Sequence, residues 1–155
     1  MNLRKTITRV LILPSILLIG GVSWTTAQET KLKWFGHAAF AITIPKGKVL
    51  LIDPWLNNPS NPEAKAGKDP ILAVPKVDYI LLTHGHRDHV GDAVAIARKT
   101  GAVLISNPEL AANLVKLADF PNKQAETEAI MGIGGEIQVA DGEVFLPHHQ
   151  QYFRR

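Results

Sequence analysis

Polar and apolar positions begin to alternate at Lys31. "KLKWFG" (Lys31–Gly36) has a period of two, and "AFAITI" (Ala39–Ile44) follows as a second short β segment. Pro45 to Gly47 supply a tight hairpin turn, after which "KVLLIDP" reads as a buried strand ending at Asp53 and Pro54. The stretch from Asn57 to Pro70 is rich in Asn, Pro, Gly and Lys and predicts a surface loop. A fourth strand, "VDYILLTH", starts at Val77. Beyond it the period lengthens. "DAVAIARKTG" carries apolar residues at helical spacing and ends at Gly101, a natural C-cap. "AVLIS" is a further buried strand, and "NPELAANLVKLAD" opens a helix with Asn107 as N-cap and Pro108 in the first turn. The tail from Met131 predicts two more strands joined at Asp141 and Gly142.

Strands at the front, then strand, helix, strand and helix, predict an α/β layered domain. A chain of 155 residues with 46% hydrophobic and 20% charged residues suits one globular domain, and no linker divides it. Charge changes the picture only at one end. The formal net charge is +3, yet Arg4, Lys5 and Arg9 precede the first acidic residue, Glu29. Without those three, 14 of the 17 basic residues remain against 14 acidic ones. A neutral body lacks the electrostatic footprint that phosphate backbones require, so nucleic acid is not an expected partner.

The basic head is followed by the apolar run Val10 to Val22 and then by "SWTTAQE". That is the pattern of an export signal, with Thr25 and Ala27 as the small residues and cleavage after Ala27. Residues 1–27 are therefore expected to be a signal peptide, and the protein to be exported, periplasmic or secreted, meeting the membrane only through that signal. The alternative is retention as an N-terminal anchor, which the short run and Pro14 disfavour. With no cysteine, a metal site must be built from histidine and carboxylate.

Leu81 to Asp92, "LLTHGHRDHVGD", holds three of the six histidines. His84 and His86 stand two apart in extended chain, so their rings can share one side. Asp88 and His89 follow where the chain turns through Val90 and Gly91. Four ligand-type side chains thus sit on one loop at the C-terminal end of a buried strand, where α/β proteins place sites. Imidazole and carboxylate suit Zn²⁺, and also Mn²⁺, Fe²⁺ or Ni²⁺. An ion with an open position can lower the pKa of bound water to about 7, far below that of bulk water, which supplies hydroxide at neutral pH. Arg87, between the ligands, reads as a solvated side chain.

"THGHRDHVGD" resembles the metal-binding signature of the metallo-β-lactamase superfamily. "WFGHAAF" (Trp34–Phe40), "LIDPW" (Leu51–Trp55) and "MGIGG" (Met131–Gly135) are similar to its metal-dependent hydrolase branch, relatives of L-ascorbate-6-phosphate lactonase. The resemblance implies an αββα sandwich, of which mainly the N-terminal half is present, over residues 31–147, with residues 148–155 as a tail. By the same resemblance His84 and His86 match ligands of a first metal, and Asp88 and His89 ligands of a second. His37 matches a histidine near the site; Asp88 and His37 are the candidate catalytic groups. Asp53 matches a carboxylate that orients a ligand histidine. Asp92 stands where glyoxalases and β-lactamases carry glycine, and reads as an acid at a helix N-terminus.

The resemblance implies a metal-dependent hydrolase that uses one or two divalent ions, most naturally zinc, on a small-molecule ester, lactone or phosphoester-type substrate. The family's later ligands have no counterpart: "VFLPHHQQYFRR" lacks the expected serine pair and bridging aspartate. His148 or His149 would have to substitute, and the residues around them read as a frayed polar tail. The alternative expectation is a truncated or frameshifted fragment, catalytically impaired, that binds metal weakly and leaves one sheet face open.

Overall fold

The computed structural model describes residues 29–74, 76–125, 137–139 and 144–145. Lys31–Trp34 (β1), Phe40–Thr43 (β2) and Val49–Ile52 (β3) form an antiparallel meander. Tyr79–Leu81 (β4) and Val103–Ile105 (β5) extend it as parallel strands, giving one five-stranded sheet in the order β1-β2-β3-β4-β5. The turn predicted at Pro45 to Gly47 is present, with Gly47 at φ 77° and its N–H donating to Ile44 O at 2.8 Å. Five helices occur among the described residues: Pro62–Lys65 (α1), Arg87–Val90 (α2), Ala93–Thr100 (α3), Pro108–Ala118 (α4) and Asn122–Ala125 (α5). Ile137–Gln138 (β6) pairs antiparallel with Val144–Phe145 (β7), as the tail predicts. Residues 1–27, Met131 to Gly135, Asp141, Gly142, His148 and His149 lie outside the described residues.

The pleat sorts the central strands into two apolar layers. Leu51, Ile80 and Leu104 are aligned across β3, β4 and β5 and are completely buried. They join Ile96 and Ala97 of α3 and Ala111 and Leu114 of α4 in one core. Burying each such Leu or Ile contributes about 1.5–3 kcal/mol. Their neighbours Leu50, Leu81 and Ile105 point to the other face and pack with Val139, which follows β6. Helices therefore cover one face and the β6 segment meets the other. The open face expected from the sequence is corrected to this extent: Leu50, Leu81 and Ile105 are buried, while Ile42, Ile52, Tyr79 and Val103 are half-buried.

β1 alternates polar and apolar residues as predicted, and as the edge strand of the sheet it has all four residues exposed, including Leu32 and Trp34. One further expectation needs correction. The segment from Asn57 to Pro70 is not a plain surface loop, since Asn58 and Asn61 are buried. Asn58 Nδ2 donates to Phe35 O at 3.0 Å and Trp55 O at 2.6 Å, and Asn61 Nδ2 donates to Leu56 O at 2.7 Å. The amides satisfy carbonyls that no strand reaches, and Asn61 also caps α1 through Glu63 N–H.

Candidate metal centre

β3 and β4 end side by side, and the chemistry begins where they stop. Asp53 N–H still donates to Leu81 O at 2.9 Å, which fixes Asp53 beside the segment entering the histidine cluster. Its backbone is left-handed (φ 42°), an uncommon conformation without glycine. The side chain is buried, 4% exposed. Asp53 Oδ1 accepts Thr83 N–H at 2.8 Å, and Oδ2 accepts the Thr83 hydroxyl at 2.7 Å. Oδ2 also lies 2.9 Å from His89 Nδ1. An ionised carboxylate only accepts, so Nδ1 of His89 is the donor and Nε2 keeps its lone pair.

The cluster is not the plain loop its sequence suggests. Arg87 to Val90 close one helical turn, with His89 and Val90 N–H both donating to His86 O. That turn brings Asp88 and His89 round to His37, which sits between β1 and β2. His37 Nε2 lies 3.4 Å from Asp88 Oδ2, and His89 Nε2 lies 3.7 Å from the same oxygen. Their ligand atoms all fall within 4.8 Å of one another. Donors around a tetrahedral ion at about 2.0–2.2 Å stand about 3.4 Å apart, so this nitrogen–oxygen–nitrogen set fits a divalent metal.

His84 and His86 stand next to that trio. Their rings meet edge to face at 4.6 Å, on one side as their spacing predicts, and His84 lies 3.9 Å from the His89 ring. With His37 at 5.7 Å from His89, four imidazoles form a continuous run. Burial, then the neighbouring His89 and His86, hold the His84 imidazole below its usual range, against the opposite pull of Asp53 and Asp88. It is thereby kept neutral near pH 7, the form that binds metal. His86 and Arg87 are exposed, and the side chains of His37 and Asp88 are 41% and 44% exposed, so the site opens to solvent on this side.

Two glycines make the arrangement sterically feasible. Gly36 has φ 93°, and a Cβ there would come within 2.8 Å of the Ser60 carbonyl carbon. Gly91 has φ 39°, and its Cβ would run into the backbone of Trp55. Asp92 occupies the N-cap position of α3, as expected, but makes no capping bond. Its carboxylate instead accepts Asn57 N–H and Asn57 Nδ2, both at 2.9 Å, tying the cluster to the segment after β3. Trp55 touches the His37 ring edge to face at 5.3 Å. Sequence reasoning missed Thr83, Asn57 and Asn58. Only the hydroxyl directly before His84 offered a signal, and the asparagines were hidden by their loop-like composition.

The profile of the metallo-beta-lactamase superfamily matches residues 32–150. A UPF0173 metal-dependent hydrolase of Anaeromyxobacter dehalogenans is 54% identical over 119 residues, covering 76% of this chain and 41% of the relative. One from Thermodesulfovibrio yellowstonii is 50% identical over 135 residues, covering 85% of this chain and 49% of the relative. The chain thus spans two fifths to one half of the length of these curated relatives. Among solved structures, Igni18, a metallo hydrolase from Ignicoccus hospitalis, aligns with a TM-score of 0.57 at 34% identity, over 71% of this chain and 42% of that one.

Proposed function

The chain belongs to the metallo-β-lactamase superfamily, and from that premise we propose that it holds a divalent metal for hydrolysis of a small molecule. The observation that carries this reading is the meeting of His37 Nε2, Asp88 Oδ2 and His89 Nε2, with His89 anchored from behind by Asp53. His84, His86, Asp88 and His89 are the proposed ligands. His37 either joins them or serves as the proton-handling group beside Asp88. Zinc is the proposed ion, in one or two copies, because the donors are imidazole and carboxylate.

A bound ion would supply Lewis acidity, polarising a carbonyl or phosphoryl oxygen and acidifying water. The protein's own part is to fix donors and manage protons. Asp53 holds His89 in one tautomer. His37 and Asp88 lie at the open side, where either can accept or return a proton to an ester, lactone or phosphoester-type substrate. The relatives named above are called metal-dependent hydrolases, which agrees with this class.

The test is a zinc titration of the full chain, followed by assays with chromogenic esters, lactones and phosphodiesters. Stoichiometric uptake with metal-dependent turnover of one substrate class is expected. No saturable uptake by the wild-type chain would refute the reading, and uptake without turnover would leave a metal-binding module. Export through residues 1–27 belongs to the same proposal, motivated by the basic head and the apolar run Val10 to Val22. Intact mass of exported protein should then show a start near Gln28; uncleaved protein in the membrane fraction would count against it.

A further inference from the structure

Asp53 touches His89 directly, but a second imidazole is within its reach through one intervening atom. Thr83 Oγ1 lies 2.7 Å from Asp53 Oδ2 and 3.0 Å from Nδ1 of His84. We infer that the Thr83 hydroxyl is a positioning group: it relays the Asp53 carboxylate to His84 and holds that ring with its proton on Nδ1 and its lone pair on Nε2.

The inference follows from counting protons. Asp53 Oδ1 is engaged by Thr83 N–H at 2.8 Å, and Oδ2 faces both the Thr83 hydroxyl and His89 Nδ1. An ionised carboxylate donates nothing, so the hydroxyl must donate to it. A threonine hydroxyl has one proton. What Oγ1 then presents to His84 is a lone pair, and Nδ1 of His84 must be the donor. An unconstrained neutral imidazole carries its proton mainly on Nε2, so the relay reverses the ordinary preference. One carboxylate thereby sets the tautomer of two histidines whose rings lie 3.9 Å apart. Thr83 itself is fixed at both ends of the residue, its N–H and its hydroxyl gripping the two oxygens of Asp53. The significance for metal rests on the reading proposed above; the tautomer does not.

The test uses the full chain, uniformly labelled with ¹⁵N, as wild type, Thr83→Val and Thr83→Ser. Long-range ¹H–¹⁵N correlation spectra of the metal-free protein report which nitrogen of His84 is protonated. Zinc affinity is measured separately by competition with a chromophoric chelator. The wild type should show His84 protonated on Nδ1. Thr83→Val should shift it toward Nε2 and weaken zinc by about 10–100-fold, the usual effect of losing a group that orients a ligand. Thr83→Ser keeps the hydroxyl and should restore the wild-type tautomer and most of the affinity, which a merely structural role of the threonine methyl would not do. His84 protonated on Nε2 in the wild type overturns the relay outright, whether or not the valine variant folds. So does a folded Thr83→Val with an unchanged tautomer. A wild-type chain that takes up no zinc overturns the metal reading alone, because the tautomer is read without metal.

Discussion

Asp53 is the residue on which the site turns. Its carboxylate receives three hydrogen bonds and supports His89 from a buried position. Asp53→Asn would put an amide NH₂ or a weaker acceptor opposite Nδ1 of His89. We expect zinc affinity to fall about 10–100-fold while the fold persists, as seen by chelator competition and circular dichroism. An unchanged affinity would mean that Asp53 orients nothing. Gly91 supports the site by sterics. Gly91→Ala forces a Cβ into the Trp55 backbone at a positive φ and should cost about 1–3 kcal/mol in urea unfolding, a measurement that a neutral effect would contradict. At this scale the ligand-type residues were legible because histidine and aspartate at such spacing have few other uses. Thr83 was not, because a threonine ending a strand looks ordinary until its hydroxyl is seen between a carboxylate and an imidazole.

Among the elements, legibility followed local signals. Asn107 caps α4 by accepting Leu110 N–H at 2.8 Å, and Gly101 closes α3 in the left-handed conformation, both as their positions predict. β3, β4 and β5 were equally clear, since strands buried on both faces read as apolar runs. The one-turn helix α2 and the exposure of β1 were not legible, because tertiary neighbours decide them. Asp78, just before β4, ties elements together in a way that pH can probe. Burial raises its pKa, but the Val49 N–H, Lys48 and Lys76 outweigh that and hold the carboxyl below its usual range. A depressed folded-state pKa gives stability that is present above the unfolded value, about 3.9, and lost as pH falls through the folded one. Urea midpoints of the wild type should therefore decline below about pH 4–5. Asp78→Asn should lower the midpoint at neutral pH and flatten part of that acid limb; an unaltered limb would show that Asp78 does not contribute.

For the whole molecule, one sheet separates a helical layer from the β6 segment, and β3 and β4 end at the candidate metal centre. The layered α/β class was readable from the order of periods along the chain, whereas the packing of Val139 over Leu50, Leu81 and Ile105 required the three-dimensional structure. The site depends on that frame. Leu104→Ala in the completely buried layer should cost about 2–5 kcal/mol, and saturating zinc should recover part of the loss if the metal binds only the folded chain. The most direct test of the central claim is an anomalous difference map at the zinc edge from crystals of the zinc-loaded chain. The account predicts a peak within bonding distance of His89 Nε2 and Asp88, with His37, His84 or His86 completing its coordination. A fully loaded crystal whose anomalous peaks all lie away from these residues would contradict it.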